Sequence, residues 1–258
     1  MGVPCSIFAA AMRCSSADAA VLTPVRRRGV EILDDPLVEA SVRERSISDV
    51  ARSNRLLGGL RAALRELRAA RSGLAAGATL LDVGTGLADI PARARLEAEA
   101  AGIALTTIAV DDAPSLLVAG RARVSGSVCA NALALPFPDH SVDVVMCSQL
   151  LHHFDDDAAP RLVRELNRVA RHAVVVADLR RSWVAAAGFW LVSFPLRFHP
   201  VTRHDGVVSV LRGFTGPELE CLVTGATGVT PVVRRHPGFR LTARWTPAAN
   251  GASGTAAA

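Results

Sequence analysis

Two spacings of apolar residues alternate along the chain. From Val38 to Arg71 the spacing is helical: Val42, Ile47 and Val50, then Leu56, Leu57, Leu60, Leu64 and Leu67, with charged residues between them. This predicts two helices, with Gly58-Gly59 marking a bend or a close backbone approach. Gly73 and Gly77 end that segment. Beyond it come short, nearly continuous apolar runs: Thr79–Val83, Ala104–Val110, Ser127–Ala130, Val142–Cys147 and Ala173–Ala177. Helical stretches separate them, at Ala92–Ala101, Pro114–Arg121 and Arg161–Ala170, the last after an acidic start at Asp155-Asp156-Asp157. Largely apolar strands separated by helices predict an α/β fold with a doubly wound parallel sheet. Val229–Arg235 and Gly238–Trp245 read as two strands turning at Pro237-Gly238. The sheet is therefore mostly parallel, with an antiparallel C-terminal strand and an N-terminal helical cap.

Length adds boundaries. The 258 residues suit one domain with appendages. Residues 1–30 are expected to be disordered, 31–77 to form the cap, 78–246 the main domain and 247–258 a disordered tail. Residues 181–215 stand out within the main domain as an insertion on the ligand side.

Charge excludes more than it points to. The net charge of +5 comes from arginine alone, spread along helices beside glutamates. No basic run is long enough for nucleic acid, and 4% aromatics without tyrosine give few stacking surfaces for bases. Cys5, Cys14, Cys129, Cys147 and Cys221 suit neither a disulfide framework nor a zinc site, and Cys129 and Cys147 read as packed thiols. This fits the cytoplasm. No membrane span is expected; transient membrane contact and the oligomeric state stay open.

The chemistry begins at Thr79-Leu-Leu-Asp-Val-Gly-Thr-Gly-Leu-Ala-Asp-Ile90. Gly84 and Gly86 force a tight turn between strand and helix, which exposes backbone N–H groups to a ligand. A dinucleotide fingerprint needs Gly or Ala where this chain has Asp89. A carboxylate there repels a pyrophosphate and attracts an ammonium, so S-adenosylmethionine fits better than NAD. The plain alternative is that Asp89 caps the helix, with Pro91 in its first turn. Asp111 ends the next strand, where an acid can accept ribose hydroxyls; Asp112 is the second choice.

The stretch Cys129-Ala-Asn-Ala-Leu-Ala-Leu-Pro-Phe-Pro-Asp-His-Ser-Val-Asp-Val-Val145 carries a resemblance. Together with the glycine turn it resembles the class I S-adenosylmethionine-dependent methyltransferases, small-molecule branch, with a Rossmann-like sheet, over Leu80 to Val176. The resemblance implies that Gly84, Thr85 and Gly86 line the methionine end, with Asp82 and Asp89 near its ammonium. It implies Asp111 on the ribose, Asn131 and Ala132 at the adenine, and Ser148 with Gln149 at the mouth. Asn131 stands where the family usually has an aspartate. Asn54–Gly59, Ala177–Ser182 and His204–Glu218 are similar to a bacterial subgroup often encoded near polyketide synthases or quinone-modifying enzymes.

The resemblance implies methyl transfer to a small acceptor, with a phenolic, quinol or polyketide-type molecule as the expected class. The competing readings are a binding protein without turnover and, further off, an oxidoreductase. A hydroxyl acceptor needs a base, and histidine titrates in the right range. His204 with Asp205, or His153, is the candidate pair or base, with His152 as an alternative. No metal is expected, because neighbouring histidines diverge and no third ligand has fitting spacing. Trp183, Trp190, Phe194 and Phe198 fall on one helical stripe with Phe189 beside it, either as core or as an acceptor wall, and Pro195 is expected to end the helix.

Overall fold

A computed structural model describes residues 22–248 apart from 36, 72, 73, 75 and 76. Expectations for Cys5, Cys14, the start of the chain and residues 249–258 lie outside the described residues. The helical spacing at the start becomes α1 (Ala40–Leu56) and α2 (Gly59–Arg71). The sheet and its crossovers follow: β1 (Ala78–Val83), α3 (Asp89–Ala100), β2 (Leu105–Asp111), α4 (Pro114–Gly120), β3 (Gly126–Cys129), β4 (Val142–Ser148), α5 (Ala158–Val169) and β5 (Ala170–Leu179). The chain ends with α6 (Trp183–Ser193), α7 (Pro200–Arg212), α8 (Gly216–Thr227), β6 (Val232–His236) and β7 (Arg240–Trp245).

The seven strands run in the order β3-β2-β1-β4-β5-β7-β6. β1 pairs parallel with both β2 and β4, so the strand order reverses beside it. In such sheets the crevice beyond the carboxyl ends at that reversal is where ligands bind. β7 inserts antiparallel beside β5, setting Leu179 opposite Arg240. The expected antiparallel C-terminal strand is therefore β7, and β6 pairs with it through the Pro237-Gly238 turn.

Continuous apolar strands follow from burial on both faces. Leu81, Val145 and Val176 face α5 and α8, whose Leu162, Leu166 and Leu219 are fully buried. Leu80, Met146 and Val175 face the other side and pack with Leu64 and Leu67 of α2 and Ile90 and Ala94 of α3. α2 is thus a layer of the sandwich itself. A boundary drawn at residue 78 cuts through this core.

Two turns fix α1 and α2 to the sheet. A Cβ on Gly238 would meet the Leu57 carbonyl oxygen at 2.0 Å, and one on Gly58 would meet that of Pro237 at 2.9 Å. Both glycines have positive φ. Gly58-Gly59 therefore serves the close approach, and Gly59 also leaves room for the Asn54 side chain. Glu66, fully buried on α2, receives hydrogen bonds from Arg234 and Arg244 at 3.2 and 3.3 Å.

Two expectations are corrected. Residues 22–30 are not free of structure: they run across α7, where Arg26 Nε donates to Arg212 O at 2.7 Å and Arg212 Nε to Gly29 O at 2.7 Å. Cys129 lies exposed on the short edge strand β3, whereas Cys147 is buried as expected. No helix among the described residues is long and apolar enough to cross a membrane.

Candidate active site

The turn after β1 is built by backbone bonds. Gly84 N and Thr85 N both donate to Val110 O, at 2.8 and 3.0 Å. A side chain at Gly84 would strike Leu150, 2.7 Å away, whereas Gly86 (φ +55°) faces open space. The Thr85 hydroxyl donates to Asp82 Oδ2 at 2.8 Å, and Asp82 Oδ1 is buried without a partner. Burial, helped by Asp111, pushes the Asp82 pKa up to about 7 against the Thr85 hydrogen bond. A cavity of about 140 Å³ opens here, lined by Asp82, Gly84, Thr85, Gly86, Asp89 and Ser148. An orphaned carboxylate oxygen in a small cavity beside a glycine turn fits the ammonium of a methionine moiety.

Asp89 lies on the same cavity wall, but Arg123 Nη1 already donates to it at 2.5 Å. It does not cap α3: the capping position is Ala88, in the left-handed region at φ 56°. Asp111 is buried and accepts from Gly86 N at 2.9 Å and Ala113 N at 3.0 Å, so it ties the glycine turn to the end of β2. Burial raises its pKa. Asn131 is exposed in the loop after β3, and its Oδ1 accepts from Leu133 N at 2.8 Å. Ala132 is half-buried beside it.

A second cavity, of about 560 Å³, adjoins the first; Ile47, Val50 and Gln149 line both. It extends from Asp111, Asp112 and Leu116 to Val184, Gly188 and Phe189 of α6. α1 thus lies over both cavities, as a cap would.

The titratable centre of the large cavity is His152. It is buried, its Nδ1 donates to Asp178 Oδ1 at 2.6 Å, and its backbone N donates to Asp178 Oδ2 at 3.1 Å. That tautomer leaves the lone pair on Nε2, which has no partner. Burial alone would raise the Asp178 pKa, but the hydrogen bonds donated by His152 hold it below the usual carboxylate range.

His153 faces Asp34 and Glu31 instead, at 3.6 and 3.9 Å. Burial works to lower its pKa, yet the two carboxylates outweigh it and the net shift is upward. Asp34 in turn is lowered to about 2, first by His153.

Glu31, His152 and His153 bring three ligand atoms within 4.8 Å of one another. The third ligand that spacing could not supply thus comes from the segment before α1. Arg212, however, already donates to Glu31 Oε1 at 3.0 Å and to Asp34 Oδ2 at 3.0 Å. A guanidinium inside the cluster neutralises the charge a metal would need.

His204 is not brought to this cavity. Its side chain is 51% exposed and its Nδ1 donates to Asp205 Oδ1 at 2.8 Å. Asp205 does line the cavity, but its oxygens accept from the backbone N of Ile32 and Leu33 at 2.8 and 2.9 Å. Its structural work is to hold residues 29–34 against α7. The aromatic stripe is also corrected. α6 ends at Ser193, before Pro195; Phe198 lies beyond it, 3% exposed, while Trp190 and Phe194 are 48% and 47% exposed. The wall is made by the other side of α6, by Ala185, Gly188 and Phe189.

Arg240 escaped the sequence reading. Buried on β7, it donates to Gln149 Oε1 at 2.9 Å and lines the large cavity, and burial lowers its pKa to about 10. The available signals for these groups were a charge near the end of β5, at Asp178, and one at the start of β7, at Arg240.

Residues 81–177 match the family model described as a methyltransferase domain. No curated protein matches the chain. Among solved structures, an S-adenosylmethionine-dependent methyltransferase from Aquifex aeolicus is 16% identical with a TM-score of 0.55, over 78% of this chain and 96% of that one. The magnesium protoporphyrin IX methyltransferase of Synechocystis, with bound S-adenosylmethionine, is 9% identical at a TM-score of 0.51, over 84% and 88%. The CMeT domain of the citrinin polyketide synthase is 13% identical at 0.54, over 73% and 52%. At these identities the likeness is one of fold.

Proposed function

We propose that the chain is a class I S-adenosylmethionine-dependent methyltransferase of the small-molecule branch that methylates a hydroxyl oxygen of a small aromatic or lipid-like acceptor; the methyltransferase-domain match over residues 81–177 and the shared fold support this reading. The observation that carries the reading is the junction at Gln149: a small polar cavity meets a large, mostly apolar one that contains His152. Phenolic, quinol and polyketide-type molecules combine the required apolar body with an acidic hydroxyl. Among the structural neighbours, one is named a magnesium protoporphyrin IX methyltransferase and another is the CMeT domain of a polyketide synthase.

Asp82 would hold the cofactor's ammonium, Gly84, Thr85, Gly86 and Ser148 its methionine end, Asp111 its ribose, and Asn131 and Ala132 its adenine. Asp89, already paired with Arg123, would add long-range attraction only. When bound, the cofactor supplies a methyl group already activated on a sulfonium. The protein's share is to align the acceptor oxygen, exclude water and remove a proton. His152, held by Asp178, would take the hydroxyl proton on Nε2. Arg240 would stabilise the oxyanion, which the apolar walls around it favour over diffuse solvation. His153, whose Nδ1 lies against Asp34 and Arg212, is the alternative base.

Incubation with isotope-labelled S-adenosylmethionine and a panel of phenolic lipids and quinols, read by mass spectrometry, tests this. A labelled methyl ether is expected. Label on carbon would refute oxygen as the acceptor. Cofactor binding in calorimetry with no labelled product from any member would leave a binding protein, and tight NADH binding alone would sink the whole reading.

A further inference from the structure

The outward face of α6 has no polar residue. Trp183, Val184, Ala187, Trp190 and Leu191 on the helix, and Phe194 just after it, are all exposed and recur at helical spacing. Leu191 is 60% exposed. Leaving such a face in water forgoes about 25 cal/mol for each Å² that could be covered. Large contiguous apolar faces mark interaction sites.

Charge says what covers it. From Leu179 to His204 the chain contains no Asp or Glu. Arginines stand around the apolar face: Arg27 lies over the Trp183 ring at 4.9 Å, Arg203 over the Phe194 ring at 3.7 Å, and Arg197 is exposed in the turn after α6. Among the described residues none of these three has a carboxylate partner. Indole and phenyl groups framed by guanidinium groups without a carboxylate counter-charge match the boundary between acyl chains and anionic headgroups.

We propose that α6 is a membrane-docking helix that seats the protein on an anionic lipid surface. The same helix forms the cavity wall: Val184 and Val192 are exposed to solvent and line the large cavity, with Gly188 between them. A lipid-like acceptor would pass from the bilayer to His152 along that edge of α6. This last step rests on the methyl-transfer reading; the docking surface does not.

The test uses the full chain and vesicles of phosphatidylcholine with or without phosphatidylglycerol. Tryptophan emission is followed with bromine-labelled acyl chains as quencher. Trp183 and Trp190 report, while Trp245 is buried in the core. Quenching is expected with phosphatidylglycerol vesicles, decreasing as salt screens the arginines. Leu191→Asp should reduce partition at least ~10-fold, the order expected when one apolar contact is replaced by a charge. Val118→Asp, at an exposed site on α4, should leave partition unchanged. Cofactor calorimetry on both variants shows that the fold is intact. Iodide should quench Trp190 before vesicles are added. Protection from iodide would mean residues 1–21 or a second copy covers the face, and would overturn the proposal. So would partition indifferent to phosphatidylglycerol, absence of partition, or a Leu191→Asp variant that binds like the parent. Loss of cofactor binding with partition retained would sink methyl transfer and leave the surface standing.

Discussion

His152 and Asp178 are a pair whose members need each other. Neither carboxylate oxygen of Asp178 is left over: one accepts the ring N–H, the other the backbone N–H of the same histidine. His152→Asn should therefore slow turnover by ~10²–10⁴ while leaving cofactor affinity nearly unchanged, the span expected for loss of a general base. Asp178→Asn should act in the same direction through the ring's orientation, and single-turnover kinetics beside calorimetry checks both. Asp82 makes a different prediction. Its folded pKa of about 7 lies above the ordinary aspartate value of about 3.9, so between these values the ligand-free protein holds a proton that the unfolded chain has lost. This carboxyl therefore subtracts stability as pH rises through that window. A cationic ligand favours the ionised form, so cofactor affinity should increase with pH up to about 7, with proton release on binding. Titration calorimetry at about pH 6 in buffers of different ionisation enthalpy measures that proton. Asp82→Asn should abolish the release.

At the level of elements, what periodicity reveals is burial, and what it hides is direction. The central strands were legible because burial on both faces leaves few polar positions, and the hairpin because Pro237-Gly238 interrupts two strand-like runs. The α6 stripe was equally visible, but its spacing could not say that Trp190 faces outward and Phe189 inward. The layer formed by α2 was read as a cap for the same reason: an amphipathic helix does not name its partner. Its burial gives a prediction. Leu67→Ala, deep between α2 and the sheet, should cost about 2–5 kcal/mol of stability. Urea melts should show this, and a chain begun at Ala78 should not fold cooperatively. Gly238→Ala tests the turn against α1. Its φ of +74° costs a side chain about 1–2 kcal/mol, and the Leu57 carbonyl 2.0 Å from the new Cβ adds to that. A thermal midpoint unchanged by the substitution would contradict this account of the contact.

Over the whole molecule, the two cavities differ in how they are assembled. The lining of the small cavity was legible because most of it lies within one motif, Asp82 to Ile90. That of the large one was not, because Glu31, His152, Asp178, Arg212 and Arg240 meet only through the tertiary fold. His204 attracted notice by its neighbour Asp205, yet that carboxylate proved to hold the backbone of Ile32 and Leu33. Asp205→Ala should therefore loosen residues 29–34, raising the acceptor KM with little change in cofactor binding. Steady-state kinetics with each substrate varied in turn separates the two effects. The antiparallel insertion of β7 beside β5 also has a consequence for folding. Arg240 reaches Gln149 only once β7 has entered the sheet, so an intermediate in which β1 to β5 have paired without β7 lacks one wall of the large cavity.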